Sequence, residues 1–535
     1  MTLSYPSSPS AAPARLGFAV ALAVVLVLPW LNPFALGPAP NVQPLLISWA
    51  SAALALGLVA VGRVSAAALW RAAVWAWVAA AVLSAGMGLL QYLDLAADFA
   101  PWVNQGGPGT IFANLRQRNQ FATLCAIGVA ALAWGAAAHS GPGRGKAIVS
   151  VAGLLAAALI GVAWGLTGSR TGLLELVLLW LLALVWRFAA PAPGRVWPTL
   201  ALASLAYLLA ASGSLPGLGD GGAAPLARVW EGNAVCASRL TLWANVWQAV
   251  MQKPWLGWGW GELGYAQFMT LTTGPRFCDL LDNAHNLPLH LAVTFGLPLA
   301  GLLVALVLAL VWRGQPWRAA QPGARLAWAV LGVVGLHSLL EYPLWYGPFQ
   351  IAVLLAVLQL SAGEAAPAQA HRVLLRGMRA RTVGAVAALV LAGFCGAAAQ
   401  SYERVSRLYS IEATRAVVFD PFNELQYHDI FLFVNEVAFS RLSMPVQNGR
   451  PEDQYALAQQ LLHYSAEPRV IERVLESAQL LGRADEVAFY KARYAQAFPE
   501  RFIEWLAMQP LGVRIPDGSV APNGPASEPA SAVQP

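Results

Sequence analysis

Asp282–Trp312 reads DNAHNLPLHLAVTFGLPLAGLLVALVLALVW. It opens polar, with Asp282, Asn283, His285 and Asn286, and then runs apolar to Trp312. An apolar run of about 18 residues or more can cross a hydrocarbon core of about 30 Å. The polar opening therefore belongs at a membrane surface, just where the chain enters the bilayer. Similar runs recur on both sides of it. About eleven spans are expected by the hydropathy criterion. They fall near residues 16–36, 43–62, 72–92, 119–138, 147–166, 172–188, 197–212, 286–312, 326–341, 347–362 and 383–400. The fold class that follows is an all-α polytopic membrane protein.

Composition agrees. Of 535 residues, 58% are hydrophobic and 11% charged, against about 25% charged in a soluble domain. Twenty-two Trp suit interfacial belts. Met1–Arg15 is polar and rich in Pro and Ser, and the first apolar run has no small-residue cleavage site leading into a soluble domain. A cleaved signal peptide is therefore not expected. The net charge of +6 would suggest nucleic acid for a soluble protein. Here it reflects the Lys/Arg bias of cytoplasmic loops, and no nucleic-acid partner is expected.

Arg63, Arg71, Arg144, Lys146, Arg187, Arg195, Arg313, Arg318, Arg325, Arg372, Arg376, Arg379 and Arg381 share one side, with Arg15 before the first span. That side is cytoplasmic by the positive-inside rule. An odd number of spans then puts the C-terminal segment outside. The expected organisation is a cytoplasmic segment 1–15, a membrane-spanning catalytic region 16–400 with a large outer loop at about 213–285, an outer helical region 401–509, and a disordered tail 510–535 rich in Pro, Ala, Ser and Gly. Within 401–509, helices are expected over 454–464, 470–481 and 484–498, with Pro499 as a stop. LLGRADEVAFYKARYAQAFP (480–499) has the look of a tetratricopeptide-type helix pair.

Cys125 and Cys395 sit in apolar runs and read as packing residues. Cys236 and Cys278 both fall in the outer loop. A disulfide closing it is expected in an oxidising compartment, the alternative being two free thiols. No CxxC or HxxxH spacing marks a metal site.

Chemistry is expected where charges break the orientation rule. Arg116, Arg118, Arg170, Arg228, Arg239, Lys253 and Arg276 all fall outside. Arg170 sits in a tight polar turn between two spans, and Arg239 opens an expected amphipathic helix. A guanidinium matches phosphate oxygens bidentately, so outward Arg residues at a membrane surface suggest a lipid-borne phosphate or pyrophosphate. The alternative is headgroup snorkelling. His285 lies beside them, and a histidine can accept a proton from a hydroxyl at neutral pH. His290, about one turn deeper, reads as packed. Glu341 and Tyr342 occupy a very short outward turn, with His337 one turn below Glu341. An ionisable group at membrane depth is a functional candidate, although an internal salt bridge to an outward Arg would also account for Glu341. No GxxxxGK[ST] or GxGxxG fingerprint and no DxD pair is present. No cofactor and no metal are expected, and Arg side chains could stabilise a departing pyrophosphate in a metal's place.

Four segments carry a family resemblance: NLRQRNQFATL (114–124), GSRTG (168–172), AHNLPLHLAVTFGLPLAGL from Ala284, and EYPLWYGPF from Glu341. With them the chain resembles the O-antigen ligase and polymerase superfamily, and within it the PglL-type bacterial protein O-oligosaccharyltransferases. RQRNQ and EYPLWY point to that protein-glycosylating branch. The resemblance implies a GT-C-like inner-membrane fold with its active site and C-terminus in the periplasm. It implies metal-independent en bloc transfer of a glycan from undecaprenyl pyrophosphate to Ser or Thr of periplasmic proteins such as pilins. His285 would take the place of the family's essential loop histidine, and Arg170 and Arg239 that of its pyrophosphate-binding arginines, with Arg116 and Arg118 as further candidates. Tyr342 falls in the segment linked to acceptor transfer, and Glu341, Asn286 and His337 would support it. Attack opposite the pyrophosphate predicts inversion. The alternatives are a ligase using lipid A core and, in another class, a lipid-linked-sugar transporter. A transporter would place its polar features near the midplane in internal repeats. Here they gather at one face.

Overall fold

The structure is a computed structural model, describing residues 11–62, 64–107, 109–135, 144–188, 194–214, 235–363, 378–409, 430, 432–442 and 450–509. Arg63, Arg228, Arg372, Arg376 and the 510–535 tail lie outside these. Among the described residues all regular structure is helical. The apolar runs form α1 (Ala11–Leu31), α2 (Val42–Gly62), α3 (Ala66–Tyr92), α4 (Arg118–Ala130), α5 (Arg144–Leu166), α6 (Arg170–Trp186) and α7 (Val196–Ala211). The segment 235–286 holds α8 (Arg239–Gln252) and α9 (Leu263–Met269). After it come α10 (Leu287–Phe295), α11 (Leu297–Gly314), α12 (Pro322–Ser338), α13 (Gly347–Gly363) and α14 (Met378–Arg407). The C-terminal part adds α15 (Val434–Leu442), α16 (Pro451–Tyr464), α17 (Pro468–Leu480), α18 (Ala484–Ala497) and α19 (Pro499–Met508).

Val42–Gly62, Ala66–Tyr92, Leu297–Arg318 and Arg381–Arg407 are long and apolar enough to cross a membrane. Gly17–Leu31, Ser150–Leu166, Val196–Ala211 and Gly347–Ala362 are shorter apolar helices. The chain is thus consistent with a membrane protein; among the described residues four helices are long and apolar enough to cross, where about eleven spans were expected.

α4 is the axis of the bundle. Every residue from Gln120 through the π-helical turn Ala131–Gly135 is buried, and α3, α5, α6 and α12 pack around it. By contrast α11 presents Leu302, Leu306, Val307, Leu308 and Leu310 to its surroundings, a surface suited to lipid. α5 and α7 approach closely because Gly161 and Gly165 face the Ala203 and Tyr207 carbonyls, where a Cβ would overlap. This is the small-xxx-small solution to packing helices in lipid.

The expected span 286–312 is two helices. Gly296 breaks it at φ +83°, and a side chain there would strike the Trp255 backbone. The Leu297 N–H donates to the Pro254 carbonyl at 2.7 Å, and Trp258 N–H to the Val293 carbonyl at 2.8 Å. The segment after α8 is thereby stitched to the break. The amphipathic reading of α8 also needs correction. Leu242, Val246, Ala249 and Val250 are buried, yet the opposite face shows Leu240, Trp247 and Met251, so the helix is apolar on both faces.

In the C-terminal part Val470, Ile471, Val474, Leu475 and Ala478 form the buried stripe of α17 between α16 and α18. Pro499 is a start as well as the expected stop: α18 ends at Ala497, just before it. Phe498 leaves the helical region and Pro499 occupies the first turn of α19, where its missing N–H costs nothing. This region docks on α9. Arg493 Nε donates to the Met269 carbonyl at 3.1 Å, and Gln496 and the Thr272 backbone exchange two hydrogen bonds.

Candidate functional site

α12 ends at Ser338, and the chain then turns so that Glu341 N–H still donates to the His337 carbonyl at 2.8 Å. That turn aims Glu341 inward, where it is 3% exposed. Three helices deliver donors to it from their N-terminal ends. Arg239, the first residue of α8, donates through Nη2 to Oε1. His285, just before α10, meets Oε2 through Nδ1 at 2.6 Å. From the start of α4, Asn119 Nδ2 donates to Oε1 at 3.1 Å and Gln117 Nε2 to Oε2 at 3.3 Å. The start of α6 joins through Ser169, whose hydroxyl donates to Asn119 Oδ1 at 2.7 Å and caps Gly172 N–H. Burial pushes the Glu341 carboxyl up, but the His285 hydrogen bond and the Arg239 charge outweigh it and hold it below the usual carboxylate range.

The chemistry follows from who can donate. Glu341 is an acceptor, so Nδ1 of His285 is the donor, and in the neutral imidazole Nε2 then keeps its lone pair. The imidazole is oriented by a carboxylate on one nitrogen and left able to take a proton on the other. Its backbone is held in the left-handed region, φ +50°. Asn283 Oδ1 accepts the His285 N–H at 2.9 Å, and Asn286 Oδ1 caps α10 at Leu289 N–H, 3.0 Å. Asn286 Nδ2 also donates to the Leu339 carbonyl at 3.0 Å. Asn286 thus fastens α10 to the Glu341 turn. Tyr342 stands edge-on to His285 with ring centres 4.8 Å apart and stacks on Tyr346 at 6.0 Å.

Arg118, Arg170 and Arg239 are each the first residue of their helix. Placing cations at three helix N-termini works against the helix dipoles. At Arg239 the Glu341 carboxylate offsets this. Arg118 and Arg170 are exposed and adjoin Asn119 and Ser169 of the cluster. Arg116 belongs elsewhere: it lines a separate recess. Arg276 is tied to the Gln267 and Thr270 carbonyls, and burial brings it down to about 10. Lys253 lies on the Trp258 ring, 4.0 Å away.

Cys236 and Cys278 are disulfide-bonded, with Cα atoms 5.2 Å apart. The bridge closes the loop between the residues that precede Arg239 and His285. His290 packs against Trp345 and accepts the Ala284 N–H at 3.3 Å. Cys125 and Cys395 are buried.

His337 does not join the cluster. It is fully buried, and its Nδ1 lies 2.7 Å from Thr123 Oγ1, which lies 2.5 Å from Glu175 Oε1. Sequence reasoning passed over Glu175, Thr123, Gln117, Asn119 and Ser169. A carboxylate inside LLELVLL (173–179) was the available signal for Glu175. Gln117 and Asn119 lay inside the RQRNQ segment that carried the resemblance, but a polar residue near a helix start ordinarily reads as a cap, so neither was given a role.

Residues 111–134 match the family described as protein glycosylation ligase, and residues 155–304 match O-antigen ligase. Residues 325–510 match the C-terminal region of virulence factor membrane-bound polymerases. A general O-oligosaccharyltransferase of Acinetobacter baylyi (strain ATCC 33305 / BD413 / ADP1) is 28% identical over 137 residues, 25% of this chain and 24% of the relative. A ComP-specific O-oligosaccharyltransferase of the same organism is 30% identical over 117 residues, 22% of this chain and 21% of the relative. The matched stretches thus span about a quarter of either relative's length. Three family models thus match in order along the chain, which is similar over these stretches to O-antigen ligases and to protein O-oligosaccharyltransferases.

Proposed function

We propose that this protein transfers a glycan en bloc from undecaprenyl pyrophosphate to Ser or Thr hydroxyls of periplasmic proteins such as pilins. The observation that carries this is the His285–Glu341–Arg239 contact, framed by helices that open on Arg118, Arg170 and Arg239. The pyrophosphate binds among Arg118, Arg170 and Arg239. The acceptor hydroxyl gives its proton to Nε2 of His285. Its oxygen bonds to the anomeric carbon as the carbon–oxygen bond to pyrophosphate breaks, and the anomeric configuration inverts. The leaving pyrophosphate keeps the electron pair, and the arginines stabilise its charge. Tyr342 borders the imidazole and meets the acceptor.

The proposed topology has about eleven crossings of the inner membrane, the last expected run but three being bent at Gly296. The N-terminus is cytoplasmic, and the Glu341 turn, the loop at 213–285 and the region 401–509 are periplasmic. The disulfide at Cys236–Cys278 suits that oxidising compartment. Docking of the C-terminal helices on α9 makes them a platform for the acceptor protein.

The test is transfer by purified protein from a lipid-pyrophosphate oligosaccharide to a Ser-rich pilin or to lipid A core, with chelator present. Transfer to pilin that is lost in His285→Ala and Arg170→Ala supports the reading. Transfer only to lipid A core moves the protein to the ligase branch. Undiminished transfer by His285→Ala sinks the assigned chemistry. Donor crossing the bilayer with no transfer to either acceptor makes the protein a transporter.

A further inference from the structure

Beside the Glu341 cluster lies a second recess. A cavity of about 170 Å³ opens where the ends of α1, α2, α4 and α13 meet, with Asn41, Arg116, Trp345 and Tyr346 in its walls. It shares its frame with the site. Arg116 directly precedes Gln117, which donates to Glu341. Trp345 and Tyr346 follow from the Glu341 turn, and Tyr346 stacks on Tyr342, which abuts His285.

Arg116 is the unusual member. Its Nη2 is buried and meets no hydrogen-bond partner. The ionisable group that acts on it is the Tyr346 phenol, which burial pushes up and so keeps neutral. Among the described residues no carboxylate lines the cavity. A desolvated guanidinium without a counter-charge is costly, so it is most stable when something bound supplies an anion. The cavity is smaller than the roughly 300 Å³ at which drug-sized sites begin, so it holds one ring, not an oligosaccharide. Trp345 and Tyr346 offer aromatic surface on which the apolar C–H face of a sugar can lie, and Asn41 offers an amide to its hydroxyls.

We propose that this recess is a donor-sugar subsite that takes one pyranose carrying a carboxylate, the carboxylate on Arg116 and the ring against Trp345 and Tyr346. The subsite rests on the transferase reading and deepens it. Arg116 leaves the pyrophosphate set and becomes a residue that selects the glycan.

The experiment uses two synthetic polyprenyl-pyrophosphate disaccharides that differ only in a terminal glucuronate or glucose. Wild type should favour the glucuronate donor in kcat/KM by about tenfold, the value of one charge-assisted hydrogen bond. Arg116→Gln should remove that preference, and Arg116→Lys, which keeps the charge, should retain most of it. Equal losses with both donors would return Arg116 to the pyrophosphate, and an unchanged ratio would remove the subsite. Binding of the free glucuronate disaccharide to detergent-purified protein separates the two readings. Arg116-dependent binding without any glycan transfer would sink the transferase reading and leave the subsite standing. Transfer in which neither the donor ratio nor the binding depends on Arg116 would do the reverse.

Discussion

Two carboxylates are buried in this bundle, and their surroundings differ in kind. Glu341 takes donors from Arg239, His285, Asn119 and Gln117. Glu175 takes one from Thr123, and its second oxygen has no hydrogen-bond partner. The first is built as an anion that orients other groups. The second sits in a span, fully buried, with Thr123 between it and His337. Burial alone therefore does not mark the chemical group. What marks it is the convergence of donors from separate elements, since each has to be brought there by the fold. Glu341 therefore orients His285 and Arg239, the pair the proposed transfer relies on, while Glu175 sits within the packing of α4, α6 and α12.

The largest effect should come from the group that Glu341 orients. His285→Ala should lower transfer by about 10²–10⁴, the usual worth of a general base, while the melting temperature stays near wild type. Glu341→Gln should cost at least about tenfold, because an amide gives the imidazole no fixed tautomer and leaves Arg239 unpaired. Were Glu175→Gln as damaging as Glu341→Gln, the contrast between the two carboxylates would break.

Arg170→Ala should act on donor binding, raising KM by about tenfold for one lost charge-assisted contact. Replacing Cys236 and Cys278 by Ser sharpens the comparison from another side. The bridge spans 42 residues, for which loop entropy gives about 4 kcal/mol. The expected result is a lower melting temperature with donor KM raised, since the bridge frames Arg239 and His285. Glu175→Gln should change transfer by less than about threefold, being isosteric and still able to bond Thr123. The smallest effect is pH-dependent. Glu341 is held below its ordinary value, so its contribution is complete above the ordinary carboxylate value and is lost as pH falls through the folded value. Melting curves of wild type and Glu341→Gln, taken downward from about pH 5, should converge.

Much of this was legible in the chain. The apolar runs marked where helices form, because lipid leaves few alternatives for a backbone that must satisfy its own hydrogen bonds. His285, Arg170, Arg239 and Glu341 stood out because ionisable groups at the ends of apolar runs are costly to place there. The two loop cysteines were visible for the same kind of reason: they were the pair outside the apolar runs. The break at Gly296 was harder to see. A Gly before Leu-Pro is compatible with a continuous apolar span, and only the Trp255 backbone pressed against it requires the bend. Pro499 was ambiguous in sequence, since proline both ends one helix and opens the next.

What the sequence by itself determined was the class of solvent, the helical state of the runs and the list of residues too polar to be there by default. What only the tertiary structure decided was which of them meet. Asn119 and Gln117 precede Glu341 by more than two hundred residues, and no local pattern encodes a contact across that distance. The structure set His337 with Thr123 instead of with Glu341, and turned Arg116 into its own recess. The physical reason is that periodicity and charge fix how a segment meets lipid and water, whereas a donor finds its acceptor only when the packing of whole helices brings their ends together.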